Sequence, residues 1–406
     1  FFQTRMRIMR SPNLRTASRT QTRIKRRISV ATNAGAGAWR WRHFDNKDAA
    51  RSLDTILPTT MPVQLDGHVR AKSIITSWPQ YCASPMIRAP PRLRNMCAVE
   101  DLWIKDESNR LGVGSFKALG GGVAVASALS KLGTGATFAT ASAGNHGVGV
   151  AWACKTLGAG ASPCHIFLHS AVGELIAERI RSFGATVHRV EGAYSDALAA
   201  ARRASEENSW TIVQDVTWDG YKEVPRTIFE GYTILAEEMI EQWANEGAET
   251  PTHVFVNAGI GGLATGVCSH FWARYGKERP RFVTVEPLAS DCLLRAARDG
   301  NGSVVQVPAS DESTIQVGLD VKLGDPYTWP LLLAGVNNFV AIGDEAVQPC
   351  RNLLTDEVSP PISAGDSAVA GLGVLVAAAA QPSLRDALGL TSESRVAVIV
   401  CEGVAK

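Results

Sequence analysis

Short strand-sized apolar runs alternate with helix-length stretches through most of the 406 residues, which predicts an α/β protein with mainly parallel sheets. Chain length adds room for two domains. Two loops of small residues, Thr140–Gly147 and Ala258–Gly266, each follow a strand-like run and open a helical one. No repeat of fixed period and no low-complexity linker divides the body, so two domains would be interleaved rather than strung in tandem.

In chain order, residues 1–44 hold eleven Lys or Arg and no Asp or Glu. Rich in Arg, Ser and Thr, they read as a mitochondrial transit peptide, a disordered basic arm, or sequence from an incorrect gene model that starts at Phe1. They are set aside from fold reasoning. The remaining body is acidic, 39 acidic against 30 basic residues, so nothing there suggests nucleic-acid binding. Residues 45–100 are proline-rich and irregular. Beyond them, strands are expected at 102–105, 137–141, 164–168, 186–190, 211–214, 253–257, 281–285, 339–342 and 396–401. Helices are expected at 116–131, 145–157, 172–183, 194–207, 224–246, 262–275 and 366–380.

No apolar run reaches the roughly 18 residues of a membrane span. The eight cysteines are scattered without a C-x-x-C pair, which argues against a disulfide-stapled secreted domain and for an intracellular protein. The eight histidines show no H-E-x-x-H spacing, so metal catalysis has no support in the sequence.

Chemistry concentrates in five segments. Residues 104–122 run from a strand through a polar stretch and a glycine turn (Gly112, Gly114) to Lys117 at a helix start. No carboxylate adjoins Lys117 in sequence. A lysine desolvated in this way loses its proton more readily, as a Schiff-base lysine must. On local grounds alone, though, Lys117 reads better as a surface lysine. Ser142-Ala143-Gly144-Asn145 presents backbone N–H groups at a helix N-terminus, suited to a carboxylate or phosphate, or forms a plain strand–helix turn. Gly259-Ile260-Gly261-Gly262-Leu263 fits a cradle for one phosphate. It also fits a loose dinucleotide fingerprint, with Glu286 as a poor match for the expected ribose-binding acid. Asp215 ends a strand, as a site residue or a turn cap. Gly365-Asp366-Ser367 lacks the G-x-S-x-G spacing of a hydrolase and reads as a helix cap. Cys401 ends the last strand as a core thiol or a soft hydrogen-bond partner.

In this order the segments resemble a fold-type II pyridoxal-phosphate enzyme, and more specifically the diaminopropionate ammonia-lyase family. KDESNRLGVGSFKALGG, TFATASAGNHGVGVAWA, VQDVTWDGY, PTHVFVNAGIGG and the VEP of residues 285–287 carry the likeness, which runs from about residue 80 to the end. The resemblance implies two interleaved three-layer αβα domains: a large cofactor-binding one from 45–120 and 228–406, and a smaller mobile one from 121–227. It implies pyridoxal 5'-phosphate as cofactor, a Schiff base on Lys117, and phosphate held by Gly259, Ile260, Gly261, Gly262 and Leu263. Asn145 would bond the phenolic oxygen, and Cys401 stands where the family has Ser or Thr beside the pyridine nitrogen. Ser142 to Asn145 would take the substrate carboxylate, with Lys117 as base and Asp215 as acid. The expected partners are a small amino-acid substrate and a second copy of the chain, with no nucleic acid or membrane.

Three departures bear on function. The family's T-D-G-N-H loop has an aspartate credited with the D-substrate's proton, and here that position is Ala143, as in the serine and threonine dehydratase version. The resulting expectation is elimination of ammonia from L-2,3-diaminopropionate or a close β-substituted alanine, giving pyruvate. A serine, threonine or 3-hydroxyaspartate-type dehydratase is the alternative. A cofactor-binding homologue with little catalysis is the alternative of another class, and a nicotinamide oxidoreductase comes last. Gly365-Asp366-Ser367-Ala368 replaces the family's G-E-S-G. The family also continues past the position of Gly403, so the C-terminus reads as truncated.

Overall fold

Residues 30–31, 39–47, 49, 62–63, 66–158, 160, 162–308 and 313–405 are described by the computed structural model. Its strands are β1 (Val30–Ala31), β2 (Trp41–Asp45), β3 (Met86–Arg88), β4 (Asp101–Asp106), β5 (Phe138–Ser142) and β6 (Cys164–His169). They continue with β7 (Thr186–Val190), β8 (Thr211–Ile212), β9 (His253–Asn257), β10 (Arg281–Pro287), β11 (Asn338–Ile342) and β12 (Arg395–Val400). One sheet has the order β1-β2-β11-β10-β9-β12-β4-β3 and the other β7-β6-β5-β8.

All pairings in the smaller sheet are parallel, as are those from β11 across to β4 in the larger one. A parallel sheet is covered by helices on both faces, so its strands read as unbroken apolar runs. Val396 to Val400 and Val254 to Val256 are accordingly almost wholly buried. Strands join the larger sheet antiparallel only at its margins: β1 on β2, β2 on β11 and β3 on β4.

One of these corrects the reading of the N-terminal segment. Residues 1–29 and 32–38 lie outside the described residues, so its targeting interpretation is not addressed there. Its end, however, is part of the fold. Trp41 and Phe44 are 2% and 4% exposed, and Trp41 Nε1 donates to Gln381 Oε1 at 2.5 Å. Two of its arginines are anchored: Arg42 pairs with Asp291 at 2.8 Å and Arg40 with Glu345 at 3.2 Å. The basic composition hid a strand whose cations have specific carboxylate partners. Another difference is that β8 stops at Ile212, two residues short of the expected end, because Gln214 completes the pairing through its side chain.

The polar run after β4 is an ionic network rather than a surface. Lys105 Nζ donates to Glu238 (2.7 Å), the Ser84 carbonyl (2.8 Å) and Gln242 (2.9 Å). Arg110 bridges Glu107 and Glu238, each at 2.6 Å, with its side chain wholly buried. Burial of such charges is tolerable only with this degree of pairing. It clamps the approach to Lys117 against helix Glu223–Asn245.

That helix packs with helices Lys117–Leu132 and Gly262–Tyr275 backbone to backbone. A Cβ added at Gly231 would lie 2.8 Å from Gly120 Cα, and one at Gly266 2.7 Å from Tyr232 Cβ. Neither neighbour can rotate away. Gly231→Ala is therefore expected to destabilise the protein by about 1–3 kcal/mol, the usual cost of overpacking. Urea unfolding compared with wild type checks this.

Candidate active site

The site forms where the C-terminal ends of parallel strands meet, the usual crevice of an open α/β sheet. In the large sheet β9, β12 and β4 are neighbours. They deliver the Gly259–Leu263 loop, Cys401 and the turn to Lys117. In the small sheet β5 and β8 are neighbours and deliver residues 142–145 and 215.

Lys117 is set by a turn that only glycines make easily: Gly112 and Gly114 have φ of 69° and 80°. The chain's last segment locks this turn. Phe116 N donates to Cys401 O at 3.2 Å, and Gly403 N to Gly114 O at 2.9 Å. Asp215 is carried in by Gln214, whose side-chain amide accepts from Ala141 N (2.9 Å) and Thr140 Oγ1 (2.8 Å) and donates to Ala141 O (3.0 Å).

The two carriers meet in an ion pair. Lys117 Nζ lies 2.5 Å from Asp215 Oδ2, with 23% and 10% of the two side chains open to solvent. This corrects the expectation of a lysine without a neighbouring carboxylate, because ninety-odd residues of chain separate what the fold brings together. Burial by itself would lower the lysine pKa, but Asp215 and then Tyr232 raise it above its ordinary value. Burial would likewise raise the Asp215 pKa, and the facing His146 and Lys117 bring it below the usual carboxylate range. Since burial keeps His146 neutral, the Lys117 ammonium carries that effect.

Four residues beyond those expected from sequence line the site. His146 Nε2 is 2.8 Å from Val213 O, which makes it the protonated nitrogen. Its Nδ1 then points a lone pair toward Asp215 Oδ2, 3.6 Å away, and is buried without a hydrogen bond. The Tyr232 hydroxyl, also buried and unbonded, faces Lys117, and its ring packs on Phe116 with centroids 4.8 Å apart. Glu402 accepts from Asn145 Nδ2 at 2.5 Å and from Ser367 N at 3.3 Å, and burial raises its pKa. Asn145 is thus held by a carboxylate rather than pointing free into the cleft. Ser367 completes the group, accepting from Gly318 N at 2.9 Å. His146 adjoins Asn145 and Glu402 adjoins Cys401, so only adjacency to motif residues could have flagged them.

Two anion cradles open on this cleft. Among the described residues, the N–H groups of Gly259 to Ala264 meet no acceptor. Gly261 has φ 105°, and a Cβ there would strike Leu332 Cδ1 at 2.5 Å. In the other loop, Ser142 Oγ accepts from Gly144 N and Gly147 N, both at 2.9 Å. That leaves the Ala143 and Asn145 N–H groups without a partner among the described residues. Both loops begin helices longer than three turns, so each adds a partial positive charge. Cys401 Sγ is a neutral thiol, its pKa pushed up by burial. It lies 3.5 Å from Asn257 Nδ2 and 3.6 Å from Ser367 O. Glu286 serves no nucleotide ribose, because both its oxygens accept backbone N–H groups of Leu293 and Leu294 at 2.7 and 2.8 Å.

A lysine nucleophile, a phosphate cradle and a neutral group at a strand end define a pyridoxal-phosphate site on a doubly wound α/β frame. The chain belongs to the pyridoxal-phosphate dependent enzyme family, whose model matches residues 78–402. Within that class its relatives are specific. It is 33% identical over 333 residues to the diaminopropionate ammonia-lyase of Escherichia coli K12, covering 77% of this chain and 82% of that protein. It is 30% identical over 322 residues to the enzyme of the same name from Salmonella typhimurium LT2, covering 73% and 78%. The solved structure of the Escherichia coli lyase with an aminoacrylate–pyridoxal phosphate azomethine reaction intermediate is similar with a TM-score of 0.81. It is 29% identical, covering 91% of this chain and 95% of that one. The protein is thus a fold-type II enzyme related to diaminopropionate ammonia-lyases, with pyridoxal phosphate as its cofactor.

The residues present fit that cofactor: the unpaired N–H groups of Gly259–Leu263 suit its phosphate, Lys117 its aldehyde and Cys401 its ring nitrogen. The ion pair adds a pH dependence. With Lys117 raised and Asp215 lowered, the pair stays charged through the ordinary carboxylate range and through the ordinary lysine range. It is lost as pH falls through the Asp215 value or rises through the Lys117 value. In Asp215→Asn the largest influence raising the Lys117 pKa is gone, and burial holds it lower than in wild type. Addition of pyridoxal phosphate to cofactor-free Asp215→Asn should therefore proceed at lower pH than in wild type, read as the pH midpoint of the rate at which visible absorbance appears.

Proposed function

We propose that the protein catalyses α,β-elimination of 2,3-diaminopropionate, with the L form favoured, to pyruvate and two molecules of ammonia. The observation that carries this reading is the Lys117–Asp215 pair, a base and an acid 2.5 Å apart, in a chain so similar to lyases of that name.

Lys117 would anchor the cofactor, Gly259–Leu263 would hold its phosphate and Cys401 would serve its ring nitrogen. When bound, the cofactor withdraws the electron pair left at the substrate's Cα. The Ala143 and Asn145 N–H groups take the substrate carboxylate at the helix N-terminus. This orients the Cα–H bond toward Lys117, whose amine, displaced by the substrate's, accepts the proton. Asp215 loses its counter-charge whenever the Lys117 nitrogen is uncharged. Its pKa then rises toward the value burial dictates, and it holds a proton for the departing β-amine. The released aminoacrylate takes up water to give pyruvate and the second ammonia.

A neutral thiol at Cys401 cannot protonate the ring nitrogen, so the electron sink stays moderate and elimination is favoured over transamination. Ala143 supplies no acid or base, so the Cα proton falls to Lys117. The same Ala143 supports the second reading, a serine or threonine dehydratase. The residues from 121 to 227, built on the smaller sheet, would move as a unit against 45–120 and 228–406. Substrate would enter the cleft that the Lys117–Asp215 and Asn145–Glu402 contacts now bridge. Assembly as a homodimer follows from the resemblance. An intracellular location is supported by eight free cysteines. No helix among the described residues is long and apolar enough to cross a membrane.

Keto-acid release tests the proposal: pyruvate from L- and D-diaminopropionate and L-serine, and 2-oxobutyrate from L-threonine. The L-diamine should give the highest kcat/KM and the D-diamine at least about 100-fold less, the low end of what a positioned proton acceptor contributes. Equal turnover of both enantiomers would refute the role given to Ala143. Faster turnover of L-serine or L-threonine would favour the dehydratase, and no keto acid from any of the four would reject the lyase.

A further inference from the structure

Three helices bring together side chains that no sequence motif joins: His68 from Gly67–Thr76, Glu237 from Glu223–Asn245 and His270 from Gly262–Tyr275. One ligand atom from each lies within 4.8 Å of the other two. The imidazole rings lie 4.3 Å apart between centroids, tilted by 43°. All three side chains are largely buried, at 16%, 21% and 9% exposure. We propose that His68, Glu237 and His270 form a binding site for a divalent transition-metal ion of the zinc type, separate from the cofactor site.

His68 points its lone pair in a direction that its neighbours fix. Thr233 has one hydroxyl proton, and it goes to the Glu230 carbonyl at 2.6 Å. Its oxygen must therefore accept from His68 Nδ1–H, 3.1 Å away. That fixes the tautomer and turns the Nε2 lone pair toward Glu237 Oε1 at 3.9 Å. Two acceptors facing each other at that separation repel unless a cation sits between them.

On the other side, His270 Nε2 lies 2.7 Å from Glu237 Oε2, so the second oxygen already shares a proton that a metal would replace. A metal-bound histidine characteristically donates its other ring N–H to a fixed oxygen, as His68 does to Thr233. Donors around tetrahedral zinc stand about 3.3 Å apart, given bonds near 2.0–2.1 Å. Modest side-chain rotation closes the present spacing to that value.

The ligand set selects the ion. Two imidazoles and one carboxylate suit zinc and its neighbours, whereas calcium and magnesium prefer all-oxygen sites. Lys72 is the competitor, its Nζ lying 3.3 Å from Glu237 Oε1 and 2.7 Å from Glu241 Oε1. On metal binding it would keep Glu241. Occupancy would tie together the helix that starts in the phosphate loop and the helix that sets Tyr232 over Lys117.

The test uses the holoenzyme after EDTA treatment, titrated with Zn²⁺ in competition with a chromophoric chelator. Wild type should bind one tight equivalent per chain. Glu237→Gln should weaken it by more than about 100-fold, and Thr233→Val, which removes only the orienting oxygen, by about 10–100-fold. Lys72→Met, with the competing ammonium gone, should bind more tightly. An unchanged visible cofactor absorbance in each variant shows that the fold and the cofactor site persist. The proposal is overturned if wild type binds no tight equivalent, or if Glu237→Gln binds as well as wild type with its cofactor absorbance intact. Should Glu237→Gln lose its cofactor, Lys72→Met decides, and an affinity no tighter than wild type overturns the site.

Discussion

A lysine ammonium that is mostly withdrawn from water requires a counter-charge, and the fold supplies one from the opposite sheet. Lys117 stands at the end of a β4 turn and Asp215 beyond β8, and their 2.5 Å contact joins the two sheets across the cleft. Each group sets the other's protonation. Consuming the lysine's charge in cofactor attachment necessarily releases the carboxylate's grip on its ionised form. In the proposed mechanism, anchoring and acid catalysis would therefore come from one pair rather than two independent devices. The buried Arg110–Glu107–Glu238–Lys105 network and the glycine turn serve this pair by fixing where Lys117 emerges.

Around the pair, the remaining chemistry is supplied by neutral or backbone groups. Open N–H groups at two helix starts suit anions without placing another fixed cation near Lys117. The Cys401 thiol stays neutral because it is buried. The close helix contacts at Gly120, Gly231 and Gly266 explain how Tyr232 and Phe229 reach the lysine turn and the phosphate loop. Packing and catalysis share the same helix, so a change on one of its faces is transmitted to the other.

Most of the parallel framework was legible because buried strands and the small-residue loops that follow them are local patterns. The strands at 164–168, 186–190 and 253–257 lie within a residue of their observed bounds. What sequence could not show was encounter. The Lys117–Asp215 and Asn145–Glu402 contacts, and the group His68, Glu237 and His270, join residues far apart in the chain through sheet order and helix packing. Strand β2 was missed for a different reason: arginines flanking Trp41 made a structural edge look like a solvated basic arm, although each has its carboxylate. Glu286 shows the reverse, a plausible ligand acid whose oxygens are fully occupied by a helix start.

The central claim, that Lys117 is the residue that carries the cofactor, has a direct chemical test. Reduction of the holoenzyme with borohydride fixes the linkage, and peptide mass spectrometry then locates the phosphopyridoxyl group. The label should fall on the peptide containing Ser115-Phe116-Lys117, with fragment ions placing it on the Lys117 side chain. A label on any other lysine, or a reduced holoenzyme with Lys117 unmodified, would contradict the account.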